Sequence, residues 1–165
     1  MTPLVLAPEQ ILSLLQEGPV RIAAATGRVA PERLCARPGP EEWSANEVLA
    51  HLRACADVWG GCMHRIIEED HPTIWAINPR TWMEKTDYPE LEFQPSLQAF
   101  MLQRAELLAF LEGLAEASWQ RTATVKGAGR PLEQTMQIFG DKLARHERTH
   151  VKQIERIVRE MEVER

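Results

Sequence analysis

From Pro131 to its C-terminus the chain contains no further proline, and Met136, Phe139, Leu143, His146, His150, Ile154, Ile157 and Met161 recur along it in steps of three and four. That spacing places all of them on one stripe of an α-helix. A stripe sustained for about eight turns admits few folds, because only other helices can cover it along its whole length. The spacing predicts a helix opening at Pro131 and requires the rest of the chain to supply its partners.

Three further segments have that character. Ser44-Ala45-Asn46-Glu47 has the form of a capping box, with a hydroxyl at the cap and a carboxylate one turn later. Val48, Leu52, Cys55, Trp59, Cys62 and Ile66 follow at helical spacing, so this helix is expected to end near Glu69 or Asp70. Trp43, just before the cap, is placed to act as a hydrophobic staple. Residues 8–28 open with Pro8 at a first helical position and carry Ile11, Leu12, Leu14 and Leu15. Gly18-Pro19 is expected to kink or break that helix before Val20, Ile22 and Ala23 resume it. Ser96 is expected to cap a helix through Phe100, Arg104, Leu107, Leu108, Leu111 and Leu114, stopped between Glu116 and Ser118.

The connections are long. Pro31, Pro38, Gly39 and Pro40 make the first one rich in turns. Residues 71–94 are broken by His71-Pro72, Asn78-Pro79 and Tyr88-Pro89, yet they hold Ile74, Trp75, Trp82 and Phe93. Such a segment reads either as a cap over a pocket or as a structural strap. Residues 119–130 read as extended, paired in a hairpin or laid along the bundle. The expected fold is all-α: a four-helix bundle with long connections, not a simple up-down-up-down one, spanning residues 1–165 as one domain.

Composition narrows function mainly by exclusion. With 19 Lys+Arg against 24 Asp+Glu the 165-residue chain carries a formal net charge of −5, which argues against a general nucleic-acid binder. No apolar run approaches the roughly 20 residues of a membrane span, and MTPLVLAPEQ lacks the basic start of a signal peptide. Three cysteines without framework spacing fit a reducing compartment. The expectation is a cytoplasmic protein that acts on a small molecule, with no nucleic-acid or membrane partner.

Position makes the histidines informative. His146 and His150 lie one turn apart within the apolar stripe, while Arg145, Glu147, Arg148 and Lys152 are assigned to the solvent side. His51 lies at the edge of the earlier helix's stripe, one turn before Cys55. Three imidazoles from two packed helices are the donor set of a metal site with an open position, suited to Zn, Ni, Cu, Co or Fe. Core histidines bonded to carbonyls or carboxylates remain the alternative.

Two motifs carry a resemblance. Glu42 to Leu52, reading EWSANEVLAHL, and His146 to Ile154, reading HERTHVKQI, are similar to the paired "WS…HL" and "H-x₃-H-x₂-Q-I" motifs of the DinB-like (DinB/YfiT-like) superfamily. Their order and spacing agree over about residues 8 to 160. The resemblance implies a four-helix bundle with up-down-down-up connectivity and a divalent metal, Zn or Ni foremost, held by His51, His146 and His150. It also implies a homodimer and thiol-dependent transfer or isomerisation with a low-molecular-weight thiol cosubstrate. A non-enzymatic, stress-related metal- or small-molecule-binding dimer is the other reading.

The remaining candidates are assigned as follows. His64 is expected on the exposed side of its helix and His71 at the helix end; Cys55 and Cys62 read as small core residues, Cys55 being near enough to His51 to serve as a fourth ligand. Cys35 lies in a turn. Arg145, Arg148, Lys152, Arg156 and Arg159, interleaved with Glu147, Glu155 and Glu160, read as a solvated face with ion pairs. A substrate is expected beneath the Trp75–Trp82 connection.

Overall fold

The long stripe becomes helix α6, Met136–Val163, which packs along α1 (Pro8–Thr26) and α3 (Ala45–Glu68); α5 (Phe93–Glu112) closes the group against α1 and α3. Two short helices, α2 (Pro31–Leu34) and α4 (Pro79–Glu84), lie in the connections. The computed structural model describes residues 4–164, so the first three residues of the N-terminal segment read above and Arg165 lie outside the description.

Capping chemistry sets the ends of α3. Ser44 Oγ accepts from the Glu47 N–H at 3.1 Å, and Glu47 Oε2 accepts from the Ser44 N–H at 2.8 Å. The α5 helix starts earlier than expected, at Phe93, and Ser96 is buried within it rather than capping it.

The strictly all-α expectation is corrected by a three-stranded sheet. Strand β1 (Thr73–Trp75) runs parallel to β2 (Thr122–Lys126), and β2 pairs antiparallel with β3 (Leu132–Thr135). The turn between β2 and β3 passes through Gly127 and Gly129 at φ 91° and 86°, values that glycine adopts without Cβ strain. Pairing with β2 also delays the last helix: residues after Pro131 satisfy their backbone groups in β3, and Thr135 Oγ1 then caps α6 by accepting from Ile138 N–H at 3.1 Å. Strand β2 falls where residues 119–130 read as extended, whereas β1 and β3 are too short for period-2 alternation to reveal them.

Gly18-Pro19 does not break α1. Proline at position 19 has no N–H, which strips the Leu15 carbonyl of its helical donor. Arg104 Nη1 replaces that donor, bonding Leu15 O at 3.1 Å. The same guanidinium grips Glu147 with both Nη1 and Nη2. A Cβ on residue 18 would overlap Glu147 Oε1, so glycine is what lets the carboxylate approach. Glu147, expected in solvent, is therefore 2% exposed, as is Arg104.

The core divides into two apolar clusters. One gathers Ile11, Leu15, Cys55, Trp59, Leu107 and Phe139; the other gathers Ile22, Leu49, Leu52, Phe100, Val151 and Ile154. Between them, along every long helix, polar or special residues intervene: Gly18-Pro19, His51, Arg104, and His146 with Glu147. A polar layer thus crosses the bundle at one level.

The connection between β1 and α5 is pinned to α3. Asp57 accepts from Trp82 Nε1 (3.1 Å), Tyr88 Oη (2.6 Å) and Gln103 Nε2 (2.5 Å), and Asn46 Nδ2 donates to the Leu91 carbonyl at 3.0 Å.

Candidate metal centre

His51 reaches the polar layer from α3, and His146 and His150 reach it from successive turns of α6. The structure brings their imidazoles together. His146 Nε2 lies 2.9 Å from His51 Nε2 and 3.1 Å from His150 Nε2. Two imidazole nitrogens on one tetrahedral ion, each at 2.0–2.1 Å, stand about 3.3 Å apart. The observed separations are close to that. His51 is 3% exposed, while His146 and His150 are half-buried rather than fully enclosed.

The protonation pattern suits ligation. His150 Nδ1 donates to Gln153 Oε1 at 2.7 Å, which leaves a lone pair on Nε2. Burial, and then the neighbouring rings, depress His51 to about 3 and His146 to about 4; burial lowers His150 as well, against the Gln153 bond. All three rings are neutral near pH 7. Neutral rings each carry one N–H, and with the His150 Nε2 lone pair facing His146 Nε2 at 3.1 Å the cluster offers imidazole lone pairs at short mutual distance. Neutral imidazole nitrogens gathered this closely are a donor set that suits a transition-metal cation.

Cys55 is part of the cluster. Its Sγ lies 3.5 Å from His51 Nε2, and the ligand atoms of His51, Cys55 and His146 all fall within 4.8 Å of one another. Burial pushes the Cys55 thiol up to about 12, with the Glu147 charge adding to the effect.

Aromatic rings wall the centre. Trp43 stands 5.1 Å from the His51 ring and 6.5 Å from that of His150, and Trp59 meets His146 edge-on at 5.1 Å. Beside His150 opens a cavity of about 390 Å³, lined also by Trp43, Arg80, Gln153, Arg156 and Ile157. Trp43 is thus more than a staple. Its place before the Ser44 cap was a visible signal, and Gln153 stood in the quoted C-terminal motif. Nothing in the sequence marked Arg80.

The Trp75–Trp82 connection does not roof this cavity. Those two rings line a separate, mainly apolar cavity of about 310 Å³ against Val58, Cys62 and Ile74, and Trp75 is 66% exposed. The connection reaches the histidines through Arg80 instead. His64 stacks on Phe110 with ring centroids 3.9 Å apart. His71, at φ 45°, bonds Thr122 and Thr124 hydroxyls at 2.9 and 3.0 Å, tying the end of α3 to the sheet. Neither joins the cluster. Cys35 is exposed. The α6 face beyond Glu147 is the solvated one expected, with Arg145–Asp141 at 2.8 Å and Arg156–Glu160 at 3.8 Å. Among the described residues no helix is long and apolar enough to cross a membrane.

A family model described as the DinB superfamily matches residues 14–154. Among solved structures, YfiT from Bacillus subtilis, described as a probable metal-dependent hydrolase with an unusual four-helix bundle topology, superposes with a TM-score of 0.79 at 18% identity, covering 93% of this chain and 87% of that one. A DinB-like protein from Bacillus subtilis, yjoa, gives 0.62 at 17% identity over 92% and 91%. A protein from Streptococcus pneumoniae gives 0.66 at 12% identity over 96% and 95%. At these identities the likeness concerns the fold. No curated protein matches the sequence.

Proposed function

The chain belongs to the DinB superfamily, and from that premise we propose that it is a metal-dependent enzyme acting on a small molecule. The observation that carries this reading is the convergence of three neutral imidazoles beside a cavity open to small ligands. His51, His146 and His150 would hold a divalent transition ion, Zn or Ni foremost. Bound there, such an ion activates water or a thiol as a nucleophile near neutral pH. Gln153 fixes the tautomer of His150, and the Trp43 and Trp59 rings limit water around the centre. The cavity admits an electrophilic substrate from the His150 side.

The description of YfiT as a probable metal-dependent hydrolase supports water as the nucleophile. The motif resemblance supports S-transfer from a low-molecular-weight thiol. Both need the same centre. Up-down-down-up connectivity, a homodimer and a cytoplasmic setting accompany this reading. The test is metal quantification on protein purified without a polyhistidine tag, followed by hydrolase and thiol-transfer screens. About one equivalent is expected, and less than about a tenth of one refutes the reading. His150→Ala should abolish metal content and turnover together; full retention of metal would remove His150 from the ligand set.

Cys55 supports a second reading, a closed four-ligand site in a non-enzymatic binding module. Cobalt substitution separates the two. A thiolate charge-transfer band that Cys55→Ala removes indicates the closed site.

A further inference from the structure

We infer that the cavity beside His150 selects a substrate bearing a carboxylate, and that Arg80 is the residue that recognises it. This rests on the metal reading above, since it concerns the other end of a molecule whose reacting group sits at the histidines.

Arg80 enters from the first turn of α4, immediately after Pro79, and its guanidinium lies over the Trp43 ring at 4.8 Å. A cation–π contact uses the charge without using up the N–H donors. Several other arginines are committed, and the second arginine on this cavity, Arg156, pairs with Glu160 at 3.8 Å. Arg21 pairs with Glu155, Arg37 with Glu47, Arg65 with Glu69, Arg104 with Glu147 and Arg145 with Asp141. Among the described residues the Arg80 side chain has no such carboxylate and no hydrogen-bond acceptor. Its side chain lines the same cavity as His150. An uncommitted guanidinium over an indole, beside a candidate metal centre, is a ready fork for a carboxylate. Arg156 lies on the same cavity, while Glu41 and Glu42 also line it and oppose a second negative charge. The lining therefore fits a monocarboxylate better than a dianion.

The test uses zinc-loaded protein and a short series of ω-mercaptoalkanoates, each compared with its uncharged amide by titration calorimetry. The thiol supplies the same anchor at the metal in both members of a pair. At the best chain length the carboxylate should bind on the order of tenfold more tightly than the amide, and Arg80→Gln should reduce that ratio to near one. Zinc content is measured on each sample and should not change with the substitution. A ratio near one in the unsubstituted protein, or a ratio that survives Arg80→Gln, overturns the inference while leaving the metal reading intact. Failure to take up zinc overturns the metal reading, and the inference with it.

Discussion

Glu147 and His146 are neighbours on α6 and enter the same polar layer, yet their surroundings end in opposite states. On one side of the helix Glu147 meets Arg104, which also bonds the carbonyl freed by Pro19, and both side chains are 2% exposed. On the other side His146 meets two more imidazoles whose lone pairs converge, next to a cavity. In the first cluster both carboxylate oxygens and the freed carbonyl find donors within the chain, and only Arg104 Nε is left without a partner among the described residues. The second is compatible with a metal ion as the partner that would complete it. Burial of polar groups is thus ambiguous taken alone, and the balance of donors against acceptors decides between scaffold and site.

The largest expected effect breaks the closed side. Arg104→Met leaves a buried carboxylate and the Leu15 carbonyl without donors and should cost about 3–5 kcal/mol in urea unfolding. Replacing both partners, Arg104→Met with Glu147→Leu, should recover most of that loss. A double variant as unstable as the single one would show that the pair is indispensable rather than merely self-satisfying. Next comes the open side. Removing metal with a chelator should lower stability by about 2.7–4.1 kcal/mol when free metal had stood at 100 to 1,000 times its dissociation constant, and His146→Ala should erase the difference between loaded and stripped protein.

A subtler change tests how the open side is tuned. Gln153→Leu removes the acceptor that fixes the His150 tautomer and should weaken metal binding about 10–100-fold, read by competition with a chromophoric chelator. The last test concerns acid. In metal-stripped protein His51 and His146 have folded-state values of about 3 and about 4, below the ordinary 6.5. The unfolded chain therefore takes up protons first. Their contribution to stability is present above pH 6.5 and is lost as pH falls from there through about 4 and about 3. His51→Asn should flatten the slope of stability against pH in that window, whereas the double variant lacking the Arg104–Glu147 pair should keep it.

Much of this contrast was legible in the sequence, unevenly. The α3 and α6 stripes and the Ser44 capping box are local periodicities, and they brought the three histidines onto facing surfaces before any coordinates. Glu147 was assigned to solvent because its charge matched the neighbouring Arg145 and Arg148, and the partner that pulls it inward lies on α5. Gly18-Pro19 read as a break because the donor that replaces the missing N–H comes from that same distant arginine. The stretch holding β2 read as extended, but β1 and β3 were too short to betray themselves, and Arg80 gained its meaning only from Trp43. In each case the missing information was a contact between residues far apart in the chain.

Asp57 has a consequence for how such a protein can change. Through Trp82 and Tyr88 it fastens the connection that carries Arg80 onto α3, at a point separate from the histidines. On the function proposed above, ligation and selectivity would be modular. The long helices would position the metal's ligands, and a segment docked on α3 through Asp57 and Asn46 would present the cation facing the substrate. New specificities could arise by rewriting that segment between its moorings while the reactive centre is inherited unchanged.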